Sequence, residues 1–348
     1  MIKAAINGFG RIGRLAFRAA LLNFSGQIEI TAINTSGSLD ASGWAHLLKY
    51  DSVYGKFPKE IKIENAGTQD PEIGTFIIDG KRYPILAQRD PARIPWKKYG
   101  ADVVIESTGI FTNEEGSRQH ITAGAKRVVI SAPETGGNIG TYILGANEYK
   151  GEHDIVSNAS CTTNCVAPVA AIMHAKIGIE KAMLSTVHGV TAEQNIVDGS
   201  PPGRHSADLR RARAYQNIVP TTTGAAEATT KAIPELEGLF DGVAMRVPVL
   251  SGSIIDFTFV TKRPTTVDEV NDIFKAAVGE PLWRGIVAVT EEQLVSSDIL
   301  GRTESAIMDL NFTRVVGGNL VKVMAWYDNE WGYATRLVEQ TVNVGKTL

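Results

Sequence analysis

The segment Gly8-Phe9-Gly10-Arg11-Ile12-Gly13 constrains the fold of this chain more than any other. It follows a short apolar run at residues 1–6. It opens a stretch in which Leu15, Phe17, Ala20 and Leu21 recur with helical spacing. A second apolar run occupies residues 28–33. Strand, glycine turn, helix, strand is the order in which a G-x-G-x-x-G pattern serves as a dinucleotide cradle. Gly8 permits the tight turn, Gly10 lets backbone approach a pyrophosphate, and Gly13 lets the helix lie close on the sheet. The helix start then offers N–H groups and a dipole to phosphate. A lone pattern of this kind is often accidental; the two flanking strands raise its weight.

Further apolar strands at residues 101–107, 127–131 and 154–157 alternate with helical segments, which predicts a parallel sheet with helices on both faces. Ligands bind beyond the carboxyl ends of such strands. Thr108, Gly109, Ser131 and Cys161 fall at or just past those ends. The second half reads differently. Residues 184–188 read as a strand, residues 244–248, 254–260 and 320–326 suit an antiparallel sheet covered on one face, and residues 332–344 read as a helix. With 348 residues and 43% hydrophobic content, two cores are expected rather than one.

The stretch Ser157-Asn158-Ala159-Ser160-Cys161-Thr162-Thr163-Asn164-Cys165 precedes an apolar run and reads as a helix start. A thiol there feels the positive end of the helix dipole, which favours thiolate, the nucleophilic form. An isolated Cys is more often a packed structural residue; the hydroxylated surroundings argue for a nucleophile. His188, in the strand at 184–188, is a candidate partner. Cys161 and Cys165 are the only cysteines, too few for a disulfide framework and suited to a reducing cytoplasm. No further Cys or His stands near them, so no metal site is expected. A net charge of −3 gives no basic field for nucleic acid as the primary partner. No apolar run of about 18 residues marks a membrane span, and no charged-then-apolar leader precedes the first strand.

Three further segments bear on binding. The second strand ends Asn34-Thr35-Ser36-Gly37-Ser38, with no carboxylate before Asp40. An acidic residue there would hold the adenosine ribose and repel a 2′-phosphate; hydroxyls do not repel it. Residues 192–217 form a long polar loop rich in Pro, Gly and Arg, a length usually functional. Pro220-Thr221-Thr222-Thr223-Gly224 precedes an Ala-rich helix, where hydroxyls and glycine read either as a phosphate cradle or as ordinary helix capping.

Taken together, Ile6 through Arg14, Leu48-Lys49-Tyr50-Asp51-Ser52, Ser157 through Cys165, Ser185-Thr186-Val187-His188, Pro220 through Ala226, Met245-Arg246-Val247-Pro248 and Trp326-Tyr327-Asp328-Asn329-Glu330 give the chain a strong likeness. It resembles phosphorylating glyceraldehyde-3-phosphate dehydrogenase over essentially its whole length. The resemblance implies a Rossmann-type α/β domain with a doubly wound parallel sheet at 1–160, joined by a C-terminal helix at about 328–348. It implies an α+β catalytic domain with a mainly antiparallel sheet at 161–327. Cys161 would attack an aldehyde carbon, and His188 would take the proton and form a His⁺–thiolate pair that lowers the thiol pKa. Ser160, Thr162, Thr223 and Gly224 would meet inorganic phosphate. Thr191 and Arg246 would hold the substrate phosphate, with Arg210 serving one of the two sites. Gly8, Gly10, Arg11, Ile12, Gly13, Asn34, Thr35, Arg89, Ser131, Asn329 and Tyr333 would hold the coenzyme. The reaction implied is reversible oxidation of glyceraldehyde 3-phosphate with inorganic phosphate, in a cytoplasmic homotetramer.

Two departures bear on the coenzyme. Members using NAD carry Asp where this chain has Thr35, and often a Leu-Pro-like pair where it has Gly199-Ser200. NADP, or both coenzymes, is therefore expected. The long loop, which in the family reaches a neighbouring subunit's coenzyme, also runs a few residues longer here, around 201–206. Erythrose-4-phosphate dehydrogenase, which hydrolyses its thioester, is the rival on the same fold. A non-catalytic coenzyme- or RNA-binding role is the rival of another class.

Overall fold

Strand β1 (Ile2–Asn7) is buried along its last four residues, as a central parallel strand must be. The computed structural model describes residues 1–65, 71–201 and 208–348. They divide into two units: Met1–Tyr142, Tyr149–Ala159 and Ala334–Leu348 in the first, Ile143–Glu148 and Ser160–Tyr333 in the second.

In the first unit β1 runs through the glycine turn into α1 (Arg11–Asn23), then β2 (Ile28–Asn34), α2 (Ala41–Lys49), β3 (Lys62–Glu64), β4 (Glu72–Ile78) and β5 (Lys81–Leu86). It continues through β6 (Val103–Glu106), α3 (Glu114–Thr122), β7 (Arg127–Ile130), β8 (Gly140–Thr141) and β9 (Ile155–Ser157). The sheet order is β3-β4-β5-β2-β1-β6-β7-β9-β8. Strands β5, β2, β1, β6, β7, β9 and β8 run parallel to one another, while β3 and β4 add an antiparallel edge beside β5. The order reverses between β1 and β6, the point where doubly wound sheets take ligands. Alternate residues of β1 serve opposite faces. Ala4 and Ile6 join the core of Phe9, Phe17 and Val338, and Ala5 joins that of Trp96 and Val104. The β4–β5 hairpin closes in two residues, Asp79 and Gly80, both at positive φ, as a tight right-twisting hairpin requires.

The second unit contains α4 (Cys161–Lys176), β10 (Ile179–Gly189), β11 (Val219–Thr222), α5 (Ala225–Ala232), β12 (Phe240–Val247), β13 (Ser253–Thr261) and α6 (Val267–Ala277). Then follow β14 (Val287–Thr290), β15 (Ala306–Asp309), β16 (Arg314–Val316), β17 (Leu320–Tyr327) and α7 (Trp331–Gly345), whose residues from Ala334 onward belong to the first unit. The sheet order is β11-β12-β10-β13-β17-β15-β14, with β16 beside β17. Pairing is antiparallel except for β10–β12 and β14–β15. One face packs on the core formed with α4, α5 and α6, including Val169, Ile172, Ala226, Phe257 and Phe274. Helix α4 is buried almost all round, so its first turn is fixed by packing.

Candidate active site

Ala159 holds a φ of 52° just before α4, a left-handed conformation that costs a residue with a Cβ about 1–3 kcal/mol and persists only where surroundings enforce it. Ser160 caps α4, its Oγ accepting from Thr163 N at 3.1 Å. Cys161 is therefore the first helical residue, at the positive end of the dipole. From β10, His188 brings Nε2 to 3.3 Å from Cys161 Sγ. Strand β12 lies parallel to β10 with Arg246 directly opposite His188. His188 Nδ1 is 2.7 Å from Gly189 O and 2.6 Å from Arg246 Nη1. Arg246 Nη1 also donates to Gly189 O at 3.2 Å. Gly189 O selects the tautomer with its proton on Nδ1, and Arg246 Nη1, which can only donate, selects the other; the first leaves the Nε2 lone pair facing sulfur and is the form that can take a thiol proton. Tyr327 of β17 meets the imidazole edge-on, with ring centroids 5.9 Å apart. Its hydroxyl joins those of Thr162 and Thr186, each at 2.9 Å.

Burial, then the charge of Arg246, pushes His188 down from 6.5 to about 3. Burial pushes the Cys161 thiol up, against the charge of Arg246 and a hydrogen bond from Thr162 N–H. Both shifts share a cause, because removal from water disfavours charge on either group. Burial thus opposes the His⁺–thiolate pair that the resemblance implies, while Arg246 and the start of α4 favour the thiolate.

Thr191 Oγ1 and Arg246 Nε are buried without a hydrogen-bond partner. Arg210 is not brought to the site. It is exposed and pairs with Asp208 at 3.1 Å. Its neighbour Arg211 is the buried one, reaching Glu193 Oε2 at 3.5 Å and Thr221 Oγ1 at 3.4 Å, and its charge acts on both His188 and Arg246. Two adjacent arginines look alike in sequence; the short helical turn at Leu209–Ala212 decides which one faces inward. Ser160 and Thr162 lie at the start of α4, and Thr223 and Gly224 precede α5, which packs on α4. Thr223 Oγ1 accepts from Ala225 N at 3.2 Å, while Gly224 gives α5 no side-chain cap. The lengthened segment around 201–206 lies, from residue 202 on, outside the described residues.

Asn329 and Tyr333 stand at the start of α7 and are buried. Asn329 Oδ1 accepts from Ser251 Oγ, Gly252 N and Ser253 Oγ at 2.8–3.3 Å, which orients the amide and makes Nδ2 its donor end.

The first unit carries the glycine cradle. A Cβ on Gly8, at φ +97°, would lie 2.7 Å from Ser107 C and Thr108 N. One on Gly13 would lie 2.0 Å from Gly8 O. Around Gly10 no atom comes within 4 Å of that position, and α1 has no side-chain cap. Close packing below and open backbone above fit a pyrophosphate at a helix start. Arg11 is held by Asp51 through contacts of 3.2 and 3.3 Å, and Ile12 packs against the core. Asn34 is spent within the protein, donating to Asn7 Oδ1 and Gln88 O and accepting from Gln88 N. Thr35 is buried, its hydroxyl donating to Leu86 O at 2.9 Å and accepting from Gly37 N at 3.2 Å. It leaves the position uncharged, with its hydroxyl engaged within the protein. The exposed hydroxyls belong to Ser36 and Ser38. Arg89 is exposed, and Ser131 at the end of β7 is half-buried.

Among the described residues no group of three or more His, Cys, Asp or Glu is placed to hold a metal ion. Among them, too, no helix is long and apolar enough to cross a membrane.

Two family models match the chain: "Glyceraldehyde 3-phosphate dehydrogenase, NAD binding domain" over residues 2–114 and "Glyceraldehyde 3-phosphate dehydrogenase, C-terminal domain" over residues 160–329. A glyceraldehyde-3-phosphate dehydrogenase of Streptomyces coelicolor is 48% identical over 351 residues, covering 100% of this chain and 99% of the relative. One of Zymomonas mobilis is 46% identical over 350 residues with the same coverage. A protein named glyceraldehyde-3-phosphate dehydrogenase 2 of Trichormus variabilis is 46% identical over 343 residues, covering 97% of each.

Proposed function

The chain belongs to the glyceraldehyde 3-phosphate dehydrogenase family, and from that membership we propose that it catalyses the reversible oxidative phosphorylation of D-glyceraldehyde 3-phosphate to 1,3-bisphosphoglycerate. The observation that carries this reading is the Cys161 Sγ–His188 Nε2 pair at 3.3 Å at a helix start. Nε2 receives the thiol proton as sulfur attacks the aldehyde carbon, and returns it to the developing alkoxide to give a hemithioacetal. It then takes the hydroxyl proton as the C–H bond breaks. A bound nicotinamide dinucleotide supplies the hydride acceptor. The product is a thioester on Cys161. Inorganic phosphate attacks that thioester, the C–S bond breaks, and sulfur regains its proton from His188. The buried donors of Thr191 and Arg246 suit the substrate phosphate. The starts of α4 and α5, with Ser160, Thr162, Thr223 and Gly224, suit the attacking phosphate. Arg211 replaces Arg210 as the loop's contribution.

For the coenzyme, the cradle fits a dinucleotide in which Gly10 and the uncapped N–H groups of α1 meet the pyrophosphate. By the family resemblance, Ser131, Asn329 and Tyr333 would serve the nicotinamide end. No carboxylate follows Asn34, and Ser36, Ser38 and Arg89 offer exposed donors, so NADP or both coenzymes are used. A homotetramer is supported by apolar residues exposed on the open face of the second sheet, Met183, Val243 and Met245, and along the loop, Ile196, Val197 and Tyr215. The free thiols of Cys161 and Cys165 suit a cytoplasmic protein. Aldehyde oxidation measured with NAD and with NADP, each with and without phosphate, tests the reading. Turnover independent of phosphate, or activity retained by Cys161→Ser, would overturn it.

A further inference from the structure

A fully buried carboxylate, Glu106, lies at the end of β6 beside the glycine turn, and every contact made to it is a hydrogen-bond donor. Oε2 accepts from Asn7 Nδ2 at 2.6 Å and from His120 Nε2 at 2.9 Å. Oε1 accepts from Thr108 N at 2.7 Å and from the Thr108 hydroxyl. The polarity of this network has no freedom. Trp96 Nε1, which can only donate, lies 3.0 Å from His120 Nδ1, so His120 carries its proton on Nε2. The backbone N–H of Gln88 donates to Asn34 Oδ1 at 2.9 Å. That turns Asn34 Nδ2 toward Asn7 Oδ1, at 2.7 Å, and so turns Asn7 Nδ2 toward Glu106. The Thr108 hydroxyl, its proton given to Glu106, accepts from Ile110 N at 3.0 Å.

The turn held this way bears on the cradle. Asn7 and Glu106 are opposite residues of β1 and β6. The backbone of Ser107 and Thr108 is what a Cβ on Gly8 would strike, and Ser107 Oγ donates to Gly8 O at 2.7 Å. We propose that Glu106 is a positioning residue for the coenzyme: through Asn7 and Thr108 it holds the Ser107–Thr108 turn against Gly8 and so sets the shape of the dinucleotide cradle. A carboxylate is needed and not merely its shape. Glutamine would put an NH₂ against either the Asn7 and His120 donors or the Thr108 N–H. Neither an amide flip nor a change of imidazole tautomer relieves this, because Gln88 N–H and Trp96 N–H fix both ends.

The inference rests on reading the glycine turn as the dinucleotide site, and the test separates the two. NAD and NADP binding to the whole protein is measured by fluorescence titration for wild type and Glu106→Gln, beside the rate of Cys161 alkylation by iodoacetamide. Glu106→Gln should weaken dinucleotide binding at least tenfold and leave alkylation within twofold. Asn7→Asp/Glu106→Gln moves the carboxylate to position 7, where it can accept from Asn34, from Gln at 106 and from His120 Nε2, which lies 3.4 Å from Asn7 Nδ2. It should recover most of the lost affinity. If Glu106→Gln does not fold, Thr108→Val, which removes one donor and keeps the backbone N–H, should weaken dinucleotide binding several-fold. Unchanged dinucleotide affinity in folded Glu106→Gln, an equal loss of alkylation, or a folded double variant without recovery overturns the inference. Wild type that binds neither dinucleotide overturns the cradle reading with it.

Discussion

Replacing His188 by asparagine removes the proton acceptor of Cys161 and nothing else that touches the sulfur. Its Nε2 is 3.3 Å from Sγ, and burial lowers its pKa to about 3. A positioned base contributes about 10²–10⁴-fold, so kcat should fall by that factor, about 3–5 kcal/mol on the barrier at about 1.4 kcal/mol per decade. Stability should respond with a definite sign. The folded pKa lies below the ordinary 6.5, so between these values the unfolded chain binds a proton that the folded chain refuses. Wild type is therefore most stable above pH 6.5 and loses stability as pH falls toward 3. At pH 5, about 1.5 units below the ordinary value, the loss due to His188 is about 2 kcal/mol. The asparagine variant lacks that liability. It should be less stable than wild type at pH 7, having lost the ring packed on Tyr327, with the gap closing by about 2 kcal/mol at pH 5. Urea unfolding at both pH values, with steady-state kinetics at pH 7, measures both effects. A kcat within tenfold of wild type, or a gap that does not narrow at pH 5, would refute the reasoning.

Other outcomes follow from the same geometry. Arg210→Ala should stay within about twofold of wild type in kcat/KM. Arg211→Ala, which removes a buried charge acting on His188 and Arg246, should lose about tenfold or more, a loss of about 1.4 kcal/mol; the reverse order would restore Arg210 to the site. Thr35→Asp places a charge near the 2′-phosphate. At about 5 Å in water each unit pair costs about 0.8 kcal/mol, so the preference for NADP over NAD should fall about 10–20-fold, read as the ratio of kcat/KM values. Gly13→Ala drives a Cβ to 2.0 Å from Gly8 O and should cost about 1–3 kcal/mol of stability together with coenzyme binding; a melting temperature equal to wild type would contradict the close approach.

Where residue type and chain order decide the structure, the sequence was legible. The glycine turn, the parallel core strands and the helix starting at Cys161 are cases of this, because period and punctuation act locally. The long strands of the second sheet were visible by alternation, but not that β12 lies parallel to β10, since pairing partners are chosen at a distance. The β4–β5 hairpin was overlooked, although Asp79-Gly80 between apolar runs is a usable hairpin signal. The site was legible as residue types and less so as electrostatics. Whether Cys161 rests as thiol depends on burial, which spacing does not reveal. The hydroxyl of Thr35 is taken up by Leu86 O and Gly37 N. Glu106 sits in the plain view of a strand end, but its role needs Asn7, Thr108 and His120 together.

The most direct test of the central claim, covalent catalysis at Cys161, is intact mass spectrometry of the enzyme mixed with glyceraldehyde 3-phosphate and oxidised coenzyme in phosphate-free buffer. One acyl group per chain, located on Cys161 and formed with a stoichiometric burst of reduced coenzyme, is the expected result, and added phosphate should discharge it as acyl phosphate. Steady reduction of coenzyme with no such adduct, or an adduct that phosphate leaves untouched, would contradict it.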